Sequence, residues 1–221
     1  EDIGYVQHVD VSALAHAADK HNAVIYLEVL PGSFVHHGTV LARAVRAGQA
    51  AETTDLEDEV LAAVTLGARR TYGQDPRFGL SVLAEIASCA LSPATNDSGT
   101  VIDVIGRGVR CFSTWARQAP DTTTDGQWQN VHVRGLTVDD MFDDFFTLIA
   151  RDGAGLLEVD IRLVKALASL AQIAPDRFGQ ACITHVDLLL KRAEQALPLE
   201  EDKQRLQALV RSLEWPRARL S

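Results

Sequence analysis

The sequence predicts an α+β fold in which a small N-terminal β-α-β-β unit packs on a larger, mainly helical domain. Residues 1–50 contain short runs of β-branched and apolar residues separated by turn-forming residues, which is typical of strands. From about residue 55 onward, apolar residues recur at the spacing of amphipathic helices. We therefore expect a β-rich unit over residues 1–50 and a helical domain over residues 51–221.

The N-terminal unit is predicted to begin with a strand and a helix. The run GYVQHV at residues 4–9 is predicted to form the strand. Asp10 or Ser12 then caps a helix that ends near Lys20.

Two further strands are predicted on either side of a turn. The run VIYLEVL at residues 24–30 is apolar and β-branched, so it forms the second strand. Pro31-Gly32 opens a hairpin-like PGxFV turn. The third strand covers residues 34–44 and is interrupted at Gly38.

The remaining chain is predicted to be mainly helical, with a loop over residues 120–129 and a short strand at residues 131–133. Acidic residues at positions 55–59 favour a helix that runs to Arg69, because they complement the positive end of the helix dipole. A second helix begins at Pro76, which is tolerated in a first turn, and stops at Ser92. A third begins after Asp97. Later helices are predicted over residues 138–151, 156–173, 178–197 and 201–213.

Composition excludes several classes of protein. The formal net charge of −9, from 21 basic and 30 acidic residues, argues against a nucleic-acid-binding module. No run of about 18 apolar residues occurs, so the sequence contains no transmembrane helix.

Cys89, Cys111 and Cys182 form no Cys-x-x-Cys motif and lie in apolar helical patterns, so we expect buried free thiols in a reducing compartment.

The most distinctive stretch runs from Ala90 to Thr100 and is a polar, turn-forming link between two apolar helices. Asn96 or Asp97 is expected to cap the second helix. The stretch is either a tight corner held by side-chain hydrogen bonds or a polar pocket, since free N–H groups at a helix N-terminus suit an anion. The charged residues that would complete a ligand-binding or catalytic cluster with Ser92, Asn96 and Asp97 are Arg69, Arg70, Asp75, Asp103 and Arg107.

A second candidate site is a metal site near the N-terminus. His8 and Asp10, with His36 or His37, supply ligand types that zinc accepts, although their spacing matches no metal-binding motif. No complete catalytic set and no cofactor motif are recognised, so no catalytic residue and no cofactor are assigned.

A series of short motifs occurs in one order between residues 4 and 103. They are GYVQHVD at 4–10, PGxFV at 31–35, RT at 70–71, QDPxFGL at 74–80, EIA at 85–87, and ALSPxxND at 90–97 followed by Thr100. Together they resemble the DUF2254 family of bacterial proteins, which are predicted membrane proteins of unknown function. The present chain has Asp97-Ser98 where the family usually has Asp-Pro.

The resemblance implies that a set of N-terminal transmembrane helices precedes this soluble part. The chain begins at Glu1 and its single methionine is Met141, which fits a missing upstream segment. The expected location is therefore the cell membrane, through that segment, with these residues on the cytoplasmic side. The expected partners are the protein's own transmembrane segment and further copies of the chain, and no nucleic acid.

The leading functional expectation is a regulatory or assembly module for the membrane part, without catalysis. Two alternatives remain open. One is an enzyme or anion-binding domain that uses a polar pocket around Asn96 and Asp97. The other is a metal-sensing module that uses the N-terminal histidines.

Overall fold

The computed structural model describes residues 3–46, 54–118 and 128–215. The architecture is α+β, as predicted, and the described residues form two compact units. The first unit contains those up to Gly79 and those from 128 to Gly135. The second contains those from Leu80 to 118 and from Leu136 to 215. The boundary predicted between residues 50 and 51 lies outside the described residues.

The first unit contains two helices and six short strands in its described residues. In chain order they are β1 (Gly4–Val9), α1 (Val11–Lys20), β2 (Ala23–Leu27), β3 (Phe34–Val35), β4 (Ala42–Arg46), α2 (Thr54–Ala62), β5 (Val64–Gly67) and β6 (Val131–Val133).

These strands form two separate sheets of three strands. The first has the order β3-β1-β5 and is antiparallel. The second has the order β4-β2-β6, in which β4 is antiparallel and β6 parallel to β2. The predicted third strand is therefore divided between the two sheets. The Pro31-Gly32 turn carries the chain from one sheet to the other rather than joining two paired strands.

The helix predicted from Asp55 to Arg69 is wrong in its second half. It ends at Ala62, and residues Val64–Gly67 form β5, which pairs with β1 from Val9 to Tyr5. Val64 and Thr65 are β-branched and favour a strand once a partner strand is available. This pairing across almost sixty residues overrides the local helical signal.

The core of the first unit lies between the strands and helices α1 and α2. Alternate residues of the strands point inward, so Val6 and Ile25 are fully buried, together with Leu14 of α1. Asp10 caps α1 as predicted, since its carboxylate accepts a hydrogen bond from the backbone N–H of Ala13 at 2.9 Å.

The second unit is helical. The helices are α3 (Pro76–Ala90), which begins in the first unit, α4 (Ser98–Arg117), α5 (Val138–Phe142), α6 (Leu148–Asp152), α7 (Leu157–Ile173), α8 (Pro175–Ala196) and α9 (Glu200–Ser212), with a π-helical turn at Asp143–Thr147 between α5 and α6. Within residues 3–46, 54–118 and 128–215, none of the helices combines the length and apolar character that crossing a bilayer requires.

The π-helical turn follows from the spacing of buried residues. An α-helix repeats every 3.6 residues, so a strict repeat of four drifts around its surface. The wider π turn corrects that drift and keeps all of these side chains facing the core. The buried residues form three pairs of neighbours, and each pair begins four residues after the one before: Met141 and Phe142, Phe145 and Phe146, Ile149 and Ala150.

An aromatic cluster fills the core of the second unit. The Phe112 ring lies 4.7 Å from that of Phe142 and 5.7 Å from that of Phe146, between centroids. Gly108, one turn before Phe112 on α4, leaves the space that the Phe145 ring occupies. A Cβ at position 108 would overlap that ring.

Substitution of Gly108 by Ala is expected to destabilise the second unit by about 2 kcal/mol, because the added methyl group overpacks the core. Gly106→Ala is the matched control on the same helix, since only the flexible end of Arg162 lies near its Cβ position. It should stabilise α4 by about 0.5–1 kcal/mol. Urea unfolding followed by far-UV circular dichroism measures both. Equal effects of the two substitutions would contradict the assignment of the close contact.

The cysteines differ from expectation in their exposure. Cys182 is buried, and burial raises the pKa of its thiol to about 12. Cys89 and Cys111 are exposed, so the prediction that all three are buried is wrong for these two. Each occupies the outer face of its helix, because the neighbouring Ala90 and Phe112 take the inward positions.

Candidate functional site

A turn and a loop of the first unit meet at three residues, Gly32, Arg70 and Asp75, which we call the turn–loop junction. The Asp75 side chain is only 2% exposed. It accepts two hydrogen bonds from the Arg70 guanidinium, at 2.7 Å from Nε and 2.9 Å from Nη2. It also accepts the backbone N–H of Phe78 at 3.0 Å, which caps α3. The carboxylate is therefore fully engaged within its own unit.

Gly32 brings the turn up to this carboxylate. Its φ of +91° is in the region that favours glycine. A Cβ at this position would overlap the Asp75 carboxylate and lie 3.0 Å from Nη2 of Arg70. The backbone N–H of Gly32 donates to the carbonyl oxygen of Val6 on β1 at 2.7 Å. The Pro-Gly pair thus allows a close approach as well as a turn.

Two glutamine side chains form hydrogen bonds between β1 and the loop that follows β5, residues 68–75. The Gln74 amide pairs with both backbone groups of Val9, accepting from its N–H at 2.9 Å and donating to its carbonyl at 3.3 Å. From the other side, Gln7 donates to the carbonyl oxygen of Arg69 at 2.6 Å. These contacts connect the GYVQHVD, PGxFV, RT and QDP motifs in one structural assembly.

The arginines of this loop differ in environment. Arg70 is half-buried, and its guanidinium carbon lies 5.1 Å from the centroid of the Phe78 ring. Tyr72 stacks on the same ring at 4.7 Å between centroids and is itself exposed. The Arg69 side chain is exposed. Of the two arginines, Arg69 is thus the more accessible to an external anion.

The polar stretch from Ser92 to Thr100 lies in the second unit and forms a corner between α3 and α4. Asp97 caps α4, since it accepts the Thr100 backbone N–H at 3.1 Å and the Thr100 hydroxyl at 2.6 Å. These hydrogen bonds, the hydroxyl first, lower the pKa of Asp97 from its ordinary value. Asn96 adopts a φ of +46°, and the Ser92 hydroxyl lies 3.3 Å from that of Thr95.

Replacing Asp97 by Ala is expected to lower the urea midpoint of the second unit, because α4 loses its cap. The pKa of Asp97 is depressed in the folded state, so its contribution is present above the ordinary pKa of 3.8 and is lost as the pH falls through the folded value. Asp103→Ala is the control. A midpoint that falls equally in both variants would count against the capping role.

The remaining candidates lie on the exposed surface of α4. Asp103 and Arg107 form a pair one turn apart, with Arg107 Nε 2.7 Å from the Asp103 carboxylate. Both side chains are more than half exposed, so the pair is worth little to stability.

The candidate residues are thus distributed over both units. Arg69, Arg70 and Asp75 belong to the first unit, where Arg70 and Asp75 are in direct contact. Ser92, Asn96, Asp97, Asp103 and Arg107 belong to the second, where Asp103 contacts Arg107 and the other three form the corner.

The metal candidates are not brought together by the sheet. In the β3-β1 register Gly4 lies opposite Val35, so His36 is beyond the beginning of β1. Extending this register puts His36 opposite Ile3, and His8 lies five residues further along β1, roughly 17 Å away at about 3.4 Å per residue. The Asp10 carboxylate caps α1, and the hydrogen bonds that it accepts from Ser12 and Ala13 lower its pKa. Among the residues that the structure describes, no three His, Cys, Asp or Glu side chains are placed to share a metal ion.

A buried carboxylate in the second unit was missed by the sequence interpretation. Asp160 of α7 is fully buried, and neither carboxylate oxygen has a hydrogen-bond partner among the described residues. Burial, with a smaller contribution from the negative charge of Glu158, raises its pKa to about 8. The flanking residues Val159, Leu163 and Val164 are also buried, and the signal available was an acidic residue at an inward position of an apolar helix.

A buried histidine was also missed. His185 of α8 packs beside the rings of Phe142 and Phe146, whose centroids are 5.7 and 5.9 Å from that of the imidazole. Its Nε2 is 3.6 Å from the Asp143 carboxylate of the π-helical turn. Desolvation lowers its pKa despite that charge, so the ring is neutral at neutral pH. Its inward position on the apolar stripe of α8 was the available signal.

Comparison with known proteins places these motifs in a wider group. A family model described as "Predicted membrane protein (DUF2254)" matches residues 1–169. Uncharacterized proteins of Mycobacterium bovis and Mycobacterium tuberculosis are 39% identical over 104 residues, which is 46% of this chain and 20% of each relative. The aligned part thus spans about a fifth of the length of these relatives. No solved structure is significantly similar to the chain.

Proposed function

Since the chain belongs to the DUF2254 family of predicted membrane proteins, we propose that its residues form a soluble module that regulates or assembles the membrane-embedded part of the protein and does not catalyse a reaction. The proposed partners are the protein's own membrane-spanning segment and further copies of the chain.

One observation carries the proposal, namely that the polar side chains of the shared motifs are bonded within their own units. Asp75 is engaged by Arg70 and by the start of α3, Gln74 by the backbone of β1, and Asp97 by the start of α4. A general acid working at neutral pH requires a raised pKa, whereas that of Asp97 is lowered. This arrangement supports a structural use of the motifs.

Exposed apolar side chains of the second unit support self-assembly. Ile173 at the end of α7 and Leu199 before α9 are about half exposed, and Leu188 lies on the outer surface of α8. Exposed apolar side chains such as these can contribute to contacts between copies.

Native mass spectrometry of the 221-residue chain tests the proposal. The expected result is a defined multiple of 24.0 kDa without additional bound mass. The double variant Ile173→Ser/Leu199→Ser should shift the distribution toward monomer, whereas Tyr26→Ser/Val45→Ser, in the first unit, should not. A strictly monomeric chain would contradict the assembly role.

The same spectra distinguish the alternatives. A retained anion that is lost in Arg69→Gln or Asn96→Ala would favour the anion-binding or enzymatic alternative. Retained zinc, nickel or copper that is lost in His8→Ala or His36→Ala would favour metal sensing. Either result would contradict the proposed function.

We further propose that the module faces the cytoplasm, and the exposed free thiols of Cys89 and Cys111 support this because such thiols persist in reducing compartments. In intact cells, a membrane-impermeant maleimide should label the full-length protein only after permeabilisation. The Cys89→Ser/Cys111→Ser variant is the control for labelling elsewhere. Labelling of these two residues without permeabilisation would place the module on the opposite side.

A further inference from the structure

The imidazole ring of His185 is part of the aromatic core of the second unit, although histidine is polar. Its side chain is only 6% exposed. The two phenylalanine rings beside it, those of Phe142 and Phe146, also pack against Phe112 in the aromatic cluster. Among the described residues, neither nitrogen of the ring makes a hydrogen bond. Apolar contacts therefore hold the ring in place, and they favour its uncharged form.

A carboxylate lies close to this ring, that of Asp143, the first residue of the π-helical turn. Nε2 of His185 is 3.6 Å from it, which is too long for a hydrogen bond but close enough for an ion pair. The Asp143 side chain is 68% exposed, and its carboxylate accepts a hydrogen bond from the Thr147 hydroxyl at the other end of the turn, at 3.1 Å. A small displacement of the ring toward solvent would bring the imidazole and the carboxylate into hydrogen-bonding distance.

The charges that act on the ring come from α5, the π-helical turn and α8. Loss of water on burial is the largest effect and lowers the pKa of the imidazole. Arg192, two turns further along α8, lowers this pKa as well, whereas Asp143 and Asp139 partly offset both effects. Nη1 of Arg192 is itself buried without a hydrogen-bond partner among the described residues. The packed arrangement therefore favours a neutral ring over an imidazolium.

We propose that His185 and Asp143 form a pH-sensitive switch: the neutral ring holds the π-helical turn against the aromatic cluster, and protonation draws the ring out toward Asp143 and opens the turn. A π-helical turn is suited to this role because it is rare and depends on the packing around it. Acid would thus change the conformation of one segment while the rest of the unit stays folded. The inference goes beyond the proposed function and holds whether or not the chain assembles.

The direction of the pH dependence follows from the two positions of the ring. In the opened state the ring is in water beside Asp143, so its pKa lies above the ordinary value of 6.5. In the packed state burial lowers the pKa below 6.5. Between these two pKa values the opened state binds one more proton. The equilibrium constant for opening therefore rises as the pH falls, by at most about tenfold per pH unit, and is constant at higher pH.

Amide hydrogen exchange of the 221-residue chain, followed by NMR between pH 7.5 and 5.8, tests this inference. The range stays above the isoelectric point of about 5.2, so the chain keeps a net negative charge. After division by the intrinsic exchange rates, protection of the Phe145 and Phe146 amides should fall by about tenfold over this range. Protection of the Val104 and Ile105 amides in α4 should stay constant, because α4 does not open with the turn.

Substitutions separate the two members of the switch. His185→Gln should abolish the pH dependence at Phe145 and Phe146, because glutamine does not titrate. Asp143→Asn should leave about half of the loss, because the opened imidazolium then lacks its carboxylate partner and an exposed ion pair contributes little. Asp187→Asn, at an exposed position of α8 two residues from His185, is the matched control and should behave as the unsubstituted chain does.

Three results would overturn the inference. The first is a constant protection of the π-helical turn over the whole pH range. The second is an equal loss in α4, which would show a general loss of stability instead of local opening. The third is an unchanged pH dependence in Asp143→Asn or His185→Gln. Because position 143 is exposed, Asp143→Asn should remain folded, so it decides the outcome even if His185→Gln does not fold.

Discussion

Replacing Asp160 by Asn is expected to stabilise the second unit by about 5–6 kcal/mol near pH 8.5 and by much less near pH 4. The cause is the cost of burying a carboxylate whose oxygens have no hydrogen-bond partner among the described residues. In the folded chain this cost is avoided by protonation, because burial raises the pKa of Asp160 to about 8.

The direction of the pH dependence follows from the two pKa values. The unfolded chain loses this proton near pH 3.8 and the folded chain near 8, so between them the folded state binds more protons. The free energy of unfolding of the unsubstituted unit therefore falls as the pH rises through this interval, by at most about 1.4 kcal/mol per pH unit. This free energy becomes constant once the pH exceeds the pKa of Asp160 in the folded chain. Asparagine does not ionise and removes this slope.

Urea unfolding at several pH values, followed by tryptophan fluorescence, measures the effect. In a Trp128→Phe background the remaining tryptophans, Trp115 and Trp215, both belong to the second unit. The difference between the variant and its parent isolates Asp160 from other titrating groups, including His185. Asp187→Asn, at an exposed position of α8, should change stability little at any pH. Parallel pH profiles of Asp160→Asn and its parent would refute the assignment.

Gly32→Ala is expected to destabilise the first unit by about 3 kcal/mol, because the methyl group displaces the buried Asp75 carboxylate and disrupts its ion pair with the half-buried Arg70. Asp75→Ala should have a similar effect, since it leaves Arg70 without this partner and α3 without its cap. The two effects should not add in the double variant, as both break the same contact.

The matched control for this substitution is Gly38→Ala. Gly38 also has a positive φ, +85°, but a Cβ there meets nothing within 4 Å. It therefore carries only the backbone strain, which costs about 1 kcal/mol. Urea unfolding followed by Trp128 fluorescence in a Trp115→Phe/Trp215→Phe background measures both variants. If Gly32→Ala costs no more than Gly38→Ala, close approach to Asp75 is not important for stability.

The local elements of the fold could largely be predicted from sequence. The first strand, the Asp10 cap, the Pro-Gly turn and the helix after Asp97 depend on signals within a few residues, and each is found. The α2–β5 segment could not be predicted in the same way. Its strand forms because β1 is available as a partner, which is a property of the folded unit and not of residues 64–67.

The residues of the candidate site could be identified from the sequence, but the contacts that they make could not. The sequence marked Arg70, Asp75 and Asp97 as polar residues in unusual positions, and all three make specific contacts. It could not indicate that Gly32, more than forty residues from Asp75, makes room for the carboxylate. Nor could it separate Asp160 from exposed acidic residues, because exposure depends on which helices surround α7.

The parallel pairing of β6 with β2 has a consequence for synthesis on the ribosome. Ile25 lies opposite Val131, so the second sheet of the first unit cannot be completed until more than a hundred further residues have been translated. During that interval the β2 edge that will receive β6 is open, and open strand edges are sites of intermolecular pairing. Truncation after α4 would leave this edge permanently uncovered. We therefore expect chains ending near residue 118 to be recovered mainly as aggregates.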